Sequence, residues 1–169
     1  MFRAREFEFP LGQRTYVMGI LNYTPDSFSD GGLYYTPEAA LEHALLMQEQ
    51  GADIIDIGAN STRPDAVVLS AEDEKARLSS VLEAVCGKVD VAVSADSFYP
   101  SCAKAALEAG ASIINDVSGV FNPEIAALCK KHGAGYIVMH NPCGSAQTAE
   151  YPNGVVNSVR QFFLDSLTL

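Results

Sequence analysis

The chain has 169 residues, 48% of them hydrophobic and 19% charged, which suffices for one well-buried core and is ordinary for a globular domain. Eleven Lys and Arg against 21 Asp and Glu give a net charge of −10, which argues against a nucleic-acid or anionic-membrane surface, since those bind through clustered bases. Cys86, Cys102, Cys129 and Cys143 lack the paired spacings of zinc or redox sites, no apolar stretch approaches the ~18 residues of a membrane span, and "MFRAREFEFP" is too acidic and interrupted for a secretory signal. A single domain over residues 1–169, with reduced thiols in a cytoplasm, is the reading that follows.

In chain order, the apolar run at 16–22 predicts a strand, and "NYTPDSFSDGG" (22–32) follows it directly. A segment that polar belongs at the surface, and it is too long to be only a turn, so it is expected to receive a ligand. "PEAALEHALLMQEQ" (37–50) predicts a helix with Pro in its first turn, and a strand is expected at 53–58. "SAEDEKARLSSVLEAVCG" (70–87) predicts a second helix, with Ser70 as N-cap and Asp73 three residues on. Strands at 91–96, 113–116 and 135–140 then alternate with helices at 100–110 and 122–133, and a last helix runs from about Asn157. Three phrases, "QEQGADIIDIG", "LEAGASIINDVSG" and "KKHGAGYIVMH", each end a helix on a glycine suited to the left-handed position and begin an apolar strand within a few residues.

Strands apolar on both faces, alternating with helices, predict an α/β fold with a parallel sheet covered by helices. Five strands suffice for an open doubly wound sheet, whereas a TIM-type (β/α) barrel needs eight. The strands end in Asn22, "NSTRPDA", Asp96, Asn115-Asp116 and His140-Asn141. Five successive polar ends favour a barrel, which points every carboxyl end at one mouth, here a partial one of about five units out of eight. Such a sheet has two open edges and an uncovered apolar strip, so either further protein covers them or two copies pair as a homodimer.

Asn22 offers a neutral oxygen to a hard cation such as Mg²⁺, or forms a local turn before Pro25. Asp26, Ser27, Ser29 and Asp30 are turn formers singly; with Phe28 among them and Gly31-Gly32 beyond, they read together as a lid. Thr62 and Arg63 are candidate donors to a phosphate or carboxylate. Asp96 and Asn115 each end an apolar strand, and a carboxylate beside an amide suits a flat heterocycle with adjacent N–H donors and a carbonyl, although a pair tying loops together is the alternative. His140 reads as a packing residue before a base, and Met139 as core or the apolar floor of a pocket.

"MGILNYTPDSFSDGG" (18–32), "GADIIDIGANSTRP" (51–64), "SADS" (94–97) and "EAGASIINDVSG" (108–119) resemble the successive signatures of dihydropteroate synthase. The resemblance implies a transferase of folate biosynthesis. It would condense 6-hydroxymethyl-7,8-dihydropterin diphosphate with p-aminobenzoate and release pyrophosphate. It further implies that Asn22 helps to hold Mg²⁺ and that Thr62 contacts the diphosphate. Asp96 and Asn115 would bind the pterin edge above Met139, Phe28 and Pro64 would wall the aminobenzoate pocket, and Asp26, Asp30 and Arg63 would act at the reacting centre. This chain departs from the family pattern at Tyr23, Asn60, Asp65, in "SADS" and in "HNPCG". The segments expected to bring a second pterin-binding Asp, a Lys and an Arg-x-His anion site lie beyond Leu169, so the chain alone is expected to show no turnover. A non-catalytic pterin-binding or assembly module is the alternative of a different class. A corrinoid-linked methyltransferase, a third reading, is disfavoured by the lid sequence.

Overall fold

The computed structural model describes residues 1–24, 36–60, 69–142, 150–152 and 154–168. Its elements are β1 (Phe2–Ala4), β2 (Phe7–Phe9), β3 (Met18–Asn22), α1 (Pro37–Glu49), β4 (Ile54–Gly58), α2 (Ala71–Val85), β5 (Ala92–Asp96), α3 (Pro100–Ala109), β6 (Ile113–Asp116), α4 (Pro123–His132), β7 (Gly135–Val138) and α5 (Val155–Ser166). Strands β3 to β7 form a five-stranded sheet in chain order, and every neighbouring pair is parallel. That order settles the architecture. A doubly wound sheet reverses direction at a switch point, whereas strands laid down consecutively by right-handed crossovers put all their helices on one face, as a barrel does.

The helices start where their capping residues dictate. Thr36 Oγ1 accepts from Ala39 N at 3.2 Å, and Asn122 Oδ1 accepts from Glu124 N at 3.0 Å and Ile125 N at 3.3 Å, each just ahead of a first-turn proline. α3 and α4 stop at Gly110 (φ 112°) and Gly133 (φ 65°), where the left-handed conformation lets the chain turn directly into the next strand. At α2, Ser70 Oγ accepts from Asp73 N at 3.2 Å. Ser70→Ala is expected to lower stability by about 1 kcal/mol, read as a lower urea midpoint with an unchanged slope; an unchanged midpoint would show that the cap is replaced by water at no cost.

The two faces of the sheet carry different layers. Ile55, Ile57, Val93, Ala95 and Ile114 pack into one buried cluster with the helix residues Leu78, Leu82, Leu107 and Ile125. The alternate residues Ile54, Ala92, Ile113 and Ile137 pack instead with Ala4 and Phe9. The latter face is the concave one, and the β1–β2 hairpin closes its amino end. Gly135 permits the closure, since a Cβ there would lie 2.5 Å from the Phe2 ring. Arg5 N–H donates to Gly133 O at 2.7 Å and its Nη2 to Leu107 O at 2.5 Å, which anchors the hairpin to the ends of α3 and α4. On the edge strand β3, Met18 is 37% and Ile20 62% exposed. These two side chains are the uncovered apolar strip expected of a five-stranded arc.

The sequence expectations hold with shifted ends. β3 begins at Met18, β7 stops at Val138, and α5 begins at Val155 behind Gly154. The amino-terminal hairpin is the element that sequence periodicity missed.

Candidate pterin site

Register alone assembles the centre of the site. Asn22 of β3 lies beside Gly58 of β4, Gly58 beside Asp96 of β5, and Asp96 beside Asn115 of β6. Four neighbouring strands therefore present one rung at their carboxyl ends, on the concave face. Gly58 matters within it: a Cβ there would stand 3.4 Å from Asp96 Oδ2, so its absence leaves space beside the carboxylate. Asn22 is exposed, and Asp96 and Asn115 are half-buried.

One rung lower sit Asp56 and Ser94, register partners on β4 and β5, both almost fully buried at 4% and 0% exposure. Asn115 Nδ2 donates to Asp56 Oδ2 at 3.1 Å. Asp56 Oδ1 and Ser94 Oγ have no fully formed hydrogen bond, and in a buried place such unmet acceptors and donors are costly unless something arrives to complete them. Burial pushes the Asp56 carboxyl up, with the Ser94 hydroxyl and the Asn115 amide pulling it back. The Asp96 carboxyl is raised to about 7, chiefly because burial disfavours its charge and secondarily because Asp56, Glu74 and Asp116 surround it with like charge. Once ionised, an acceptor with so high a proton affinity is a strong partner for a ligand bringing N–H donors.

Behind the rung, the carboxylate of Glu74 (1% exposed) accepts from Asn60 Nδ2 and from Ser97 Oγ. Asp116 is buried on the helical side, where Tyr136 Oη donates to it at 2.7 Å and Ser118 N–H at 2.9 Å, so it belongs to the wall rather than the hollow. The Tyr136 phenol is pushed up by burial and by that carboxylate.

The sequence-predicted residues divide accordingly. Asn22, Asp96 and Asn115 come together on one rung. Met139 follows β7, its N–H donating to Asp116 O at 3.1 Å. His140 packs against Tyr151 (5.1 Å is its ring separation from Phe162, 6.0 Å that from Tyr151) and so takes the packing role expected of it. Asp26, Phe28, Asp30, Thr62, Arg63 and Pro64 lie outside the described residues. Sequence reasoning missed Asp56, Ser94 and Glu74. For the first two a signal existed: they precede Gly58 and Asp96 by two residues and therefore share their face.

Among the described residues no group of three or more His, Cys, Asp or Glu side chains is placed to cage a metal ion. A lone exposed amide oxygen at Asn22 fits a cation that keeps most of its waters and leans on a substrate phosphate, the habit of Mg²⁺. No helix among the described residues is long and apolar enough to cross a membrane.

Comparison with known proteins shows the family. Residues 18–168 match the family model described as pterin binding enzyme. The dihydropteroate synthase of Synechocystis sp. is 43% identical over 159 residues, covering 92% of this chain and 55% of the relative. That of Streptococcus pyogenes serotype M1 is 48% identical over 126 residues, covering 74% and 47%. Among solved structures, a Clostridium difficile dihydropteroate synthase in the presence of pteroic acid superposes with a TM-score of 0.84 at 37% identity, covering 95% of this chain and 60% of that one. The Xanthomonas albilineans enzyme with 4-aminobenzoic acid gives 0.79 at 38% identity, covering 92% and 56%. The chain thus spans about half the length of the curated relatives it matches. With a parallel arc of strands, a rung of Asn, Gly, Asp and Asn at its mouth, and a match over nearly its whole length, this chain belongs to the pterin binding enzyme family.

Proposed function

We propose that this chain supplies the pterin-binding half of a dihydropteroate synthase acting in the cytoplasm. The observation that carries the proposal is the Asp96–Asn115 pair: two hydrogen-bonding side chains on adjacent strands at one rung, with Asp56 bonded to Asn115 from below. A pterin edge presents neighbouring N–H donors and a carbonyl; ionised Asp96 accepts from the donors, and Asn115 both donates and accepts. Mg²⁺, when bound near Asn22, neutralises charge on the diphosphate. In the reaction the exocyclic CH₂–O bond breaks and pyrophosphate departs with the electron pair. The amine nitrogen of p-aminobenzoate then bonds to the carbon and gives up a proton. The chain's own residues bind and orient the pterin, and the surrounding carboxylates favour the positive charge that develops on it.

We assign the residues of the two connections by the same reading. Thr62 contacts the diphosphate, Phe28 and Pro64 wall the aminobenzoate, and Asp26, Asp30 and Arg63 attend the reacting centre. The free thiols of Cys86, Cys102 and Cys129, two of them buried and all raised to about 11 by burial, fit a reducing compartment. The exposed inward side chains of β3 support pairing of two copies.

Calorimetric titration with the pterin diphosphate tests the reading. Binding that tightens at least tenfold with Mg²⁺ is expected; no heat with or without the cation would overturn it. Binding without any product from p-aminobenzoate is expected of this chain by itself whether it is half of the enzyme or a binding module.

A further inference from the structure

Glu74 is a buried carboxylate that the roles assigned so far leave unused. It sits in the first turn of α2, where the helix dipole favours negative charge, and is 1% exposed. Among the described residues its hydrogen bonds come from neutral donors: Asn60 Nδ2 donates to Oε2 and Ser97 Oγ to Oε1. The first donor follows β4 and the second follows Asp96 directly, so one side chain joins the carboxyl ends of two adjacent strands. The tie extends further. Asn60 Oδ1 accepts from Leu69 N at 2.9 Å, Tyr99 Oη donates to Leu69 O at 3.3 Å, and Tyr99 N–H donates to Ser97 Oγ at 3.3 Å. Both ends of the β4–α2 connection and the start of the β5–α3 connection are therefore held to one carboxylate.

A wholly structural tie would be cheaper as a neutral amide, since a buried ion, here with no counter-ion among the described residues, costs several kcal/mol unless it is fully hydrogen-bonded. A carboxylate differs in two ways. It accepts at both oxygens, which an amide cannot, and it projects negative charge toward Asp96, one residue from Ser97.

We propose that Glu74 is a positioning residue of the pterin site, setting through Asn60 and Ser97 the separation of the β4 and β5 ends and, by its charge, the proton affinity of Asp96. The inference rests on the pterin reading for its ligand but not for its electrostatics. The carboxylates that act on Asp96 are Asp56 of β4, Glu74 of α2 and Asp116 of β6; Glu74 alone among these three is joined to both connections.

The test compares the whole chain with E74Q and S97A, using carboxyl-carbon NMR of Asp96 and calorimetry with the pterin diphosphate. E74Q removes the charge and one acceptor at constant shape. It is expected to lower the Asp96 titration midpoint by about half a pH unit and to weaken pterin binding roughly tenfold. S97A removes the hydrogen bond to Glu74, together with that from Tyr99 N–H, and keeps the charge, so it should weaken binding while leaving the midpoint near its original place. If E74Q lowers only the melting temperature, with midpoint and affinity unmoved, Glu74 is merely structural and the proposal fails. If the unaltered chain binds no pterin diphosphate, the functional reading falls, and the Asp96 midpoint in E74Q still decides whether Glu74 acts on that residue. Should E74Q not fold, Glu74→Asp supplies the second variant: it keeps the charge but shortens the reach to Asn60 and Ser97, so pterin binding should weaken, and unchanged affinity would overturn the proposal.

Discussion

Asp96→Asn is expected to cost pterin binding at least about 100-fold while making the fold more stable above pH 7. The first effect follows from donor and acceptor matching. An amide turned toward a pterin edge presents N–H to N–H, so the ligand's donors are buried without acceptors, at about 1–3 kcal/mol for each. The second follows from the sign of the shift. Asp96 has a folded value of about 7, above the roughly 3.9 of an unfolded Asp, so the folded state holds the proton more tightly. Its contribution is therefore most favourable at low pH and is lost as pH rises from about 4 through 7. The loss is on the order of 2–3 kcal/mol after discounting for the solvent that reaches this half-buried group. Urea unfolding at pH 5 and pH 8 measures it: the unaltered chain should lose stability across that interval and Asp96→Asn should not. Equal losses in both would show that Asp96 is ionised in the empty site. The same proton governs affinity. A pterin bringing N–H donors selects the ionised form, so binding should strengthen close to tenfold per pH unit up to about 7 and then level off. A flat profile would remove Asp96 from the ligand's edge.

Leu82→Ala is expected to destabilise the chain by about 3 kcal/mol, within the 2–5 seen when a large aliphatic core residue is truncated. Leu82 is 0% exposed on α2 and belongs to the buried cluster that includes Ile57, Ala95 and Leu107. α2 packs between α1 and α3, so neighbours held on both sides have little freedom to collapse into the void. Urea unfolding should show a lower midpoint at unchanged slope. A loss under 1 kcal/mol would mean that the layer relaxes far more than a close-packed one does.

Much of this was legible in the residues. Glycines at 110 and 133 announced where helices stop, the proline at 37 and Ser70 where they start, and polar side chains at the strand ends told the barrel order from the doubly wound one. The hairpin was not legible because its turn lacks the usual chemistry. Arg5 takes φ 54° with no Gly or Asn to favour it, and its partners Gly133 and Leu107 lie more than a hundred residues away. Glu74 reads in sequence as one of three acids at a solvated helix start; only the arrival of Asn60 and Ser97 from separate connections buries it. Asp56 likewise looks like an interruption in "IIDIG" until the register sets Ser94 beside it and Asn115 bonds it from above.

The hairpin stopper also fixes how deep anything can go. Along β4 four residues separate Ile54, which packs with Ala4 and Phe9, from Gly58 at the strand end, on the order of 13 Å at 3.3 Å per residue. Along β6, by contrast, Ile113 of the same seal stands on the rung of Ser94, two residues or about 6.6 Å below Asn115. The floor laid by the hairpin therefore rises from β4 toward β6, so that the strand ends leave more depth beside Asp56 than beneath Asn115.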